Sequence, residues 1–447
     1  MTTYLLDTKT NTVIDDAIEF VPGVWVHKQG NRHICIDTQI GDESSGRRFR
    51  FLDKSSALHI DRLQQIEIEK RQKEKEELMR NVLVETIMPD YNQSNSLVLP
   101  KWLNDWLKEQ NAFYEVDRTQ ILDGRKLSDY GVQWYLGSYF PKSYVESYTI
   151  YTDLFSKSEY YEILKDKESI SILDVGCGTG GNTVGLITSI IVKLPRIKKI
   201  LIDAFDYCEN SLEALKSAIN CIIGQFNSTV KIEITTESVH FAPETTEDTI
   251  SFNDFVAKRK NKYDIILSFK MINELVRNAG FNINSVYSQF AAALCALLSD
   301  VGTFTIEDVS DKVNDVYLSK PLGASIHNFV TDNQDYIIIS PVPCSINQNC
   351  RDNCFMQRIL KVTFESKYID TENGEMSSDV KIRTIDTQVV YRIIAKRQYA
   401  LNIVPVRMEH RYEKVFKRQN ARSTSTDDHY CGPQDADIRD AFTLNQS

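Results

Sequence analysis

The sequence predicts an α/β protein built around a doubly wound, mostly parallel sheet. Between about residues 170 and 310, short apolar runs rich in β-branched residues alternate with helical runs. A glycine-rich turn, GCGTGG, follows the first of these runs directly and opens a helix. The chain has 447 residues, 42% of them hydrophobic and 26% charged, which is typical of a folded globular protein with at least one full core.

The first part of the chain is predicted to be an accessory unit of short strands. Residues 1–53 are rich in β-branched and aromatic residues, and turn signals such as Pro22-Gly23 and Gly30-Asn31 interrupt them. Residues 54–168 are predicted to be helical. Within them, the stretch 55–86 lacks Gly and Pro and is dense in Glu and Lys, so we expect one long exposed helix.

Aromatic residues are concentrated between residues 99 and 168, on segments with helical periodicity. An aromatic stripe at helical spacing usually belongs to a core, so we expect a helical cap packed against the sheet. The same layer would also serve as one wall of a ligand pocket, and the sequence leaves both interpretations open.

A sheet domain is predicted over 169–412. Its expected strands are SISILDV, KKILIDAFD, VKIEITT, YDIILSF and GTFTIEDV, followed by DYIIISPVP, RILKVTFES and TQVVYRIIAK. The remaining residues, 413–447, are polar and are expected to form a disordered tail.

The glycine-rich turn is the motif that carries chemistry. Asp174 ends the first strand, and Gly176, Gly178 and Gly180 follow it. Glycines suit a turn with unusual backbone angles, and they let a ligand approach the main chain without a Cβ in the way. The spacing differs from the phosphate loop G-x-x-x-x-G-K-[ST], and no Lys follows that would hold a triphosphate.

Acidic and amide residues follow two further strands. Asp206 ends the second strand, where its carboxylate would accept hydrogen bonds from a ribose diol; Asp203 is a poorer candidate because it lies inside the strand. The distance from Gly178 to Asp206 is long, which predicts an extended first helix that includes TSIIVKLPRIKK. The fourth strand runs into Asn273 and Glu274, at the edge of the sheet where ligands bind.

The run D-V-G-C-G-T-G-G with its downstream acid resembles the first two motifs of class I S-adenosylmethionine-dependent methyltransferases. The resemblance implies that Gly176, Gly178 and Gly180 line the methionine and ribose of S-adenosylmethionine. It also implies that Asp206 binds the ribose hydroxyls and that Asp174 supports the turn or binds the amino group. Dinucleotide-binding Rossmann proteins are the structural rival.

Three further segments are similar to a methyltransferase-like family associated with the small ribosomal subunit. They are the lead-in Tyr135–Tyr144, the segment Ile272-Asn273-Glu274-Leu275, and Pro343-Cys344 with the cysteines that follow. The resemblance implies a metal site at Cys344, Cys350 and Cys354, holding an iron–sulfur cluster or zinc. The family expects a fourth cysteine; here Cys431, His410 and His429 are the possible substitutes, and reduced structural cysteines are the alternative.

Charge and hydropathy exclude two classes of protein. Asp and Glu number 62 against 52 Lys and Arg, so a uniformly basic nucleic-acid coat is excluded. No apolar run approaches the length of a transmembrane helix and no targeting segment is visible, so a cytoplasmic protein without membrane contact is expected. A basic stretch over 391–422 would neutralise RNA phosphates or form a solvated face.

The predicted function is therefore methyl transfer from S-adenosylmethionine, with RNA as the expected acceptor. Asn273 and Glu274 are the candidates for substrate positioning or proton acceptance. The alternative is a methyltransferase-like ribosome-assembly or RNA-binding factor, partnered with the small subunit, that uses a metal cluster for structure and does not catalyse.

Overall fold

A computed structural model describes two compact units of the chain, Met1–Val82 and Leu83–Ser447. The residues that it describes are 3–7, 9, 12–21, 24–29, 32–35, 49–52, 54–91, 96–115, 129–157, 160–226, 230–309, 312–313, 316–341, 358–369 and 376–400.

The first unit contains an antiparallel sheet of the strand order β4-β3-β2-β1-β5. The sheet begins with β1 (Thr3–Asp7), and its other strands are β2 (Thr12–Val21), β3 (Val24–Gln29), β4 (Arg32–Cys35) and β5 (Phe49–Leu52). Helix α1 (Lys54–Ile87) follows and continues into the second unit. Its Leu63, Ile66 and Leu78 are more than half exposed. The predicted β-rich segment and the long exposed helix are thus both present in the described residues.

The second unit holds the remaining elements. They are β6 (Asp90–Tyr91), β7 (Leu97–Val98), α2 (Lys101–Glu109), α3 (Asp129–Ser138), α4 (Phe140–Lys157), α5 (Tyr160–Leu164), β8 (Ser169–Val175), α6 (Gly181–Lys193), β9 (Lys199–Asp206), α7 (Glu209–Phe226), β10 (Lys231–Ser238), α8 (Phe252–Ala257), β11 (Tyr263–Phe269), α9 (Met271–Asn278), α10 (Val286–Cys295), β12 (Leu298–Val309), β13 (Lys312–Val313), β14 (Val316–Tyr317), α11 (Ser319–Asp332), β15 (Tyr336–Ser340), β16 (Arg358–Ser366), β17 (Lys381–Lys396) and α12 (Arg397–Ala400).

A mixed sheet forms the centre of this unit, and in the described residues its order is β10-β9-β8-β11-β12-β17-β16-β7-β6, with β15 paired to β17. The strands from β10 to β12 are parallel, as predicted. Strand β17 runs antiparallel to β12, β15 and β16. The chain leaves β8 toward β9 on one side and later returns to β11 on the other, so the strand order reverses at β8. Such a reversal opens a crevice at the carboxyl ends of the strands, where ligands bind in α/β sheets.

Helices cover the sheet in two groups, which confirms the doubly wound α/β fold. Helices α4, α6 and α7 pack with one another, and α8, α10 and α11 form the second group. All seven residues of β11 are buried, as expected for a strand covered on both faces. The aromatic residues of the predicted helical cap are mostly core: Trp102, Trp106, Tyr144 and Tyr151 are buried, whereas Tyr130 is about half exposed.

One predicted element is shorter than expected. Helix α6 ends at Lys193, and residues 194–198 connect it to β9, so the extended helix through PRIKK is wrong. Pro195 follows the last buried turn, and the residue before a proline is disfavoured in helical geometry. A loop therefore supplies the extra length between Gly178 and Asp206.

Candidate functional site

The glycine-rich turn lies between β8 and α6, at the crevice where the strand order reverses. Gly176, Gly178 and Gly180 all have positive φ angles, of 77°, 53° and 92°. L-residues with a Cβ rarely adopt this left-handed region, so the sequence uses glycine at each position. Main-chain hydrogen bonds from Gly176 and Cys177 to the Phe205 carbonyl fix the turn against the end of β9.

The three glycines differ in what surrounds them. A Cβ on Gly176 would lie 2.5 Å from the Cβ of Met271, and one on Gly180 would overlap the Leu215 side chain. A Cβ on Gly178 would meet no atom within 4 Å. Positive φ accounts for glycine at all three positions; contacts inside the protein add a second reason at Gly176 and Gly180, whereas a side chain on Gly178 would meet open space.

Asp174 lies beneath the turn and is fully buried. Its carboxylate accepts hydrogen bonds from Asn182 Nδ2 at 3.1 Å and from Thr183 Oγ1 at 2.5 Å, both in the first turns of α6. Burial raises the pKa of Asp174 to about 7, and the neighbouring Asp206 adds to this effect. In the structure, Asp174 thus supports the start of the helix, which is one of the two roles that the resemblance implies.

Asp206 ends β9, as predicted, and faces the turn. Its Oδ2 accepts a hydrogen bond from the Gly178 main chain at 2.8 Å, and its Oδ1 accepts one from Cys208 N at 2.9 Å. Burial raises the pKa of Asp206, and the main-chain N–H groups of Cys208, Gly178 and Tyr207 act in the opposite direction. Asp203, inside the strand, instead accepts a hydrogen bond from Tyr263 OH at 2.6 Å.

Asn273 lies in the first turn of α9, directly after the fourth parallel strand. Its Nδ2 donates to Asp308 Oδ1 at 3.0 Å and to the Lys270 carbonyl, and its main-chain N–H donates to Asp308 Oδ2 at 3.0 Å. Tyr287 OH also donates to Asp308, at 2.9 Å. Asn273 therefore fixes the start of α9 to the end of β12 in the structure.

Glu274 is half-buried and lies beside Asp206 and Asp308, which together with burial raise its pKa to about 7. The nearby Tyr135 hydroxyl acts in the opposite direction and lowers this pKa. A carboxyl group with a pKa near neutrality can accept or release a proton under physiological conditions. The role of Glu274 as proton acceptor stays a prediction.

Four carboxyl groups converge at this edge of the sheet: Asp174, Asp206, Glu274 and Asp308. Burial raises the pKa of all four groups, to about 6 for Asp308. Repulsion from Asp206 contributes to the raised pKa values of Asp174 and Glu274, and a bound cation would relieve it. S-adenosylmethionine carries a sulfonium and an ammonium, so the residues present fit this cofactor.

Two residues of the site were not predicted. Tyr135 comes from α3, which precedes β8 in the chain, and Asp308 is the penultimate residue of β12. The signal for Asp308 was present, because an acid at the carboxyl end of a parallel strand occupies the same edge as Asp206. Tyr135 belongs to the aromatic segment and begins the lead-in Tyr135–Tyr144, but neither pattern predicts a position beside Glu274.

Several predicted residues lie elsewhere. Cys344, Cys350, Cys354, His410, His429 and Cys431 are outside the described residues. Within the described part of the chain, no group of three or more His, Cys, Asp or Glu side chains is arranged to hold a metal ion. Arg392, in the basic stretch, is fully buried and donates to the Tyr391 carbonyl, so it is not available to RNA phosphates. No helix in the described ranges is both long and apolar enough to cross a membrane.

Comparisons with known proteins were made for the sequence and for the structure. No protein-family model matches the sequence, and no curated protein matches it. Among solved structures, the chain is similar to precorrin-6y C5,15-methyltransferase from Geobacter metallireducens GS-15, with a TM-score of 0.26 and 11% identity over 55% of this chain and 87% of that one.

Two further similar structures come from other bacteria. A SAM-dependent methyltransferase from Agrobacterium tumefaciens has a TM-score of 0.27 and 10% identity, over 55% of this chain and 61% of that one. TrmN from Thermus thermophilus has a TM-score of 0.28 and 11% identity, over 58% of this chain and 53% of that one. The structures similar to this chain thus include methyltransferases, whereas its fold class follows from the strand order and the glycine turn described above.

Proposed function

We propose that the chain binds S-adenosylmethionine at the carboxyl edge of the sheet and transfers its methyl group to an acceptor. The observation that carries this proposal is the open space above Gly178, next to Asp206 and within a cluster of carboxyl groups. The main chain can approach the cofactor there, and the carboxylates complement its positive charges. Asp206 would accept the ribose hydroxyls on its remaining lone pairs.

The cofactor supplies an activated methyl group, and the protein supplies alignment. Attack by a lone pair of the acceptor on the methyl carbon breaks the carbon–sulfur bond, and the sulfur keeps the bonding electrons. An N–H or O–H acceptor then releases a proton. Glu274, with its pKa of about 7, is the group that we propose to take this proton, and the Tyr135 hydroxyl would fix its orientation.

We further propose RNA as the acceptor. Support for RNA comes from the resemblance of Tyr135–Tyr144 and Ile272–Leu275 to the small-subunit-associated family. The proposal of RNA is independent of the proposal of S-adenosylmethionine. The carboxyl cluster supports binding of the cofactor and gives no support for any particular acceptor.

Calorimetric titration of the full chain with S-adenosylmethionine and S-adenosylhomocysteine tests the cofactor site. We expect micromolar binding by the wild type. Asp206→Ala should lower the affinity by about 100-fold or more, since the ribose hydroxyls would lose their hydrogen-bond acceptor. Asp203→Asn is the matched control, because Asp203 is on the same strand but binds Tyr263. A wild type that binds neither compound would overturn the proposal.

Methyl transfer is tested with tritiated S-adenosylmethionine and total RNA. Tritium in RNA would support RNA as the methyl acceptor. If Glu274 takes the proton, Glu274→Gln should lower the rate of labelling without abolishing cofactor binding. Cofactor binding without any label in RNA would reject RNA as the acceptor and retain the cofactor site.

A further inference from the structure

Lys270 has an unusual backbone conformation between β11 and α9. It lies between the last residue of β11 and the first residue of α9, with φ 62° and ψ 13°. Within the described ranges, Asn111 is the other non-glycine residue with positive φ. A long side chain in the left-handed region is strained, and such strain persists where surrounding contacts enforce it.

Several contacts hold Lys270 in this conformation. Its main-chain N–H donates to the Glu307 carbonyl at 2.9 Å, and its carbonyl accepts from Asn273 Nδ2. The side chain turns toward α4, where its Nζ forms an ion pair with Glu146 and lies 3.4 Å from Ser143 Oγ. The turn is therefore fixed from β12, from α9 and from α4.

The ion pair is buried. Glu146 has no exposed side-chain surface and Lys270 retains 15% of its own. The other oxygen of Glu146 accepts a hydrogen bond from Thr387 on β17. A buried charge that lost its partner would be strongly unfavourable, so the two side chains hold each other in place.

Glu307 completes the surroundings of this pair. It is 1% exposed, and neither carboxylate oxygen has a hydrogen-bond partner among the described residues. Burial raises its pKa well above the usual range, with Glu146 and Asp308 acting in the same direction and Lys270 against them. Lys270 is thus the cation that faces the carboxyl groups of both Glu146 and Glu307.

The residues that follow Lys270 reach the cofactor site. Met271 packs against Gly176, where the main chain has no room for a Cβ. Asn273 donates to Asp308, and the pKa of Glu274 is raised by its carboxyl neighbours Asp206 and Asp308. A change in the Lys270 backbone would move all three side chains, because they belong to the same short helix.

We propose that Lys270 is a positioning residue, whose buried ion pair with Glu146 keeps the turn before α9 left-handed and so places Met271 against the glycine turn and Glu274 in the carboxyl cluster. This inference rests on the proposed cofactor site. Lys270 acts through its neighbours and does not itself bind the cofactor.

Binding of S-adenosylhomocysteine to a set of full-length variants tests the proposal by calorimetry. Lys270→Met should weaken binding by about tenfold or more, because small displacements at a site are costly. Lys270→Gly separates the effect of the backbone conformation from that of the ion pair, since glycine adopts this φ readily but cannot form the ion pair. We expect Lys270→Gly to bind as weakly as Lys270→Met.

A double-mutant cycle and a matched control complete the design. Glu146→Gln should weaken binding as well, and the double variant Lys270→Met with Glu146→Gln should bind no worse than Lys270→Met alone. Lys167→Met is the control, because it removes a partly buried ion pair with Asp264. Asp264 lies near the start of β11, whereas Lys270 follows the end of the same strand. Lys167→Met should lower the melting temperature and leave the affinity unchanged.

The outcomes separate this inference from the proposed function. A wild type that does not bind S-adenosylhomocysteine contradicts the cofactor site itself. If the wild type binds and the affinity of Lys270→Met is within about twofold of it, the positioning role is overturned. A twofold change in affinity corresponds to less free energy than one hydrogen bond contributes. Wild-type affinity in Lys270→Gly would show that backbone conformation alone is sufficient, and would overturn the role of the ion pair.

Discussion

Gly176 and Gly178 lie two residues apart in one turn, yet the structure gives them different reasons to be glycine. Gly176 is limited by Met271, and Gly178 faces open space with the same sign of φ. Sequence reasoning treated them alike, because the pattern G-x-G-x-G records the need for a missing Cβ and not its cause. The difference depends on α9, which follows much later in the chain.

Alanine substitutions should separate these two causes. Gly178→Ala should lower the free energy of unfolding by only about 1–2 kcal/mol, the cost of a left-handed alanine, while reducing cofactor binding sharply. Gly176→Ala should cost more, about 2–4 kcal/mol, because a steric overlap with Met271 is added to the same backbone penalty. Urea denaturation and calorimetric titration of both variants provide the comparison. Equal losses of stability would contradict the distinction.

Helices α4 and α6 make a close contact through glycines. A Cβ on Gly181 would lie 2.6 Å from the Phe140 carbonyl oxygen, and one on Gly185 would lie 2.5 Å from that of Tyr144. The obstacle is main chain in both cases, so a rotamer change cannot relieve it. The first helix after the glycine turn is thus packed directly against the helix that precedes the sheet.

Replacement of Gly185 by alanine should therefore destabilise the protein, although alanine is the better helix former. We expect a loss of about 1–3 kcal/mol, as for other overpacked cores. Gly224, near the end of α7, is the matched control because a Cβ there meets nothing within 4 Å. Gly224→Ala should be neutral or stabilise by up to about 1 kcal/mol. Stabilisation by Gly185→Ala in chemical denaturation would contradict the close contact.

At the scale of elements, the strands were the most predictable feature. Strands β8, β11 and β16 have the bounds of SISILDV, YDIILSF and RILKVTFES, because apolar β-branched runs of that length favour a buried strand. Helix α6 was overestimated because its apolar pattern continues past Lys193 into a proline turn. A local sequence pattern predicts that a helix or strand exists more reliably than it predicts the residue at which that element ends.

For the whole molecule, the acidic edge of the sheet makes stability depend on pH. The pKa values of Asp174 and Glu274 are raised to about 7 and that of Asp308 to about 6, whereas the same groups ionise near pH 4 when unfolded. Their contribution to stability is present below pH 4 and is lost as the pH rises through 6 to 7. The cluster should therefore make the protein without cofactor less stable at pH 8 than at pH 5.5.

Thermal denaturation of the wild type and of Asp174→Asn between pH 5.5 and 8 tests this expectation. Each kcal/mol that is lost should lower the melting temperature by about 2–4 °C in a large domain. Asn retains a carbonyl oxygen for Asn182 and Thr183 but cannot ionise, so the variant should show a flatter pH dependence. An unchanged slope in Asp174→Asn would exclude this residue as a source of the effect.

Cofactor affinity should depend on pH in the opposite direction. S-adenosylmethionine has one more positive charge than S-adenosylhomocysteine, and ionised carboxylates attract that charge. Its affinity should rise several-fold between pH 6 and pH 8, and that of S-adenosylhomocysteine should change less. Parallel pH profiles for the two compounds, measured by calorimetry, would contradict a role of the cluster in recognising the sulfonium.

The sequence predicted the part of the site that lies on consecutive elements. Asp174, the glycines and Asp206 follow from strands whose carboxyl ends must meet at one edge. The ion pair of Lys270 with Glu146 and the proximity of Glu274 to Tyr135 were not predicted, because each joins a residue after β11 to a helix that precedes β8 in the chain. No local pattern encodes which face of an early helix will meet a later turn.

The contacts of α4 also determine when the helix can be buried during synthesis. Tyr151 binds Thr305, which is 154 residues later, and Glu146 binds Thr387, which is 241 residues later. Since the ribosome releases the amino-terminal part first, the aromatic face of α4 remains without these partners until most of the sheet has been made. A chain with such distant contacts closes its core late and is expected to fold slowly.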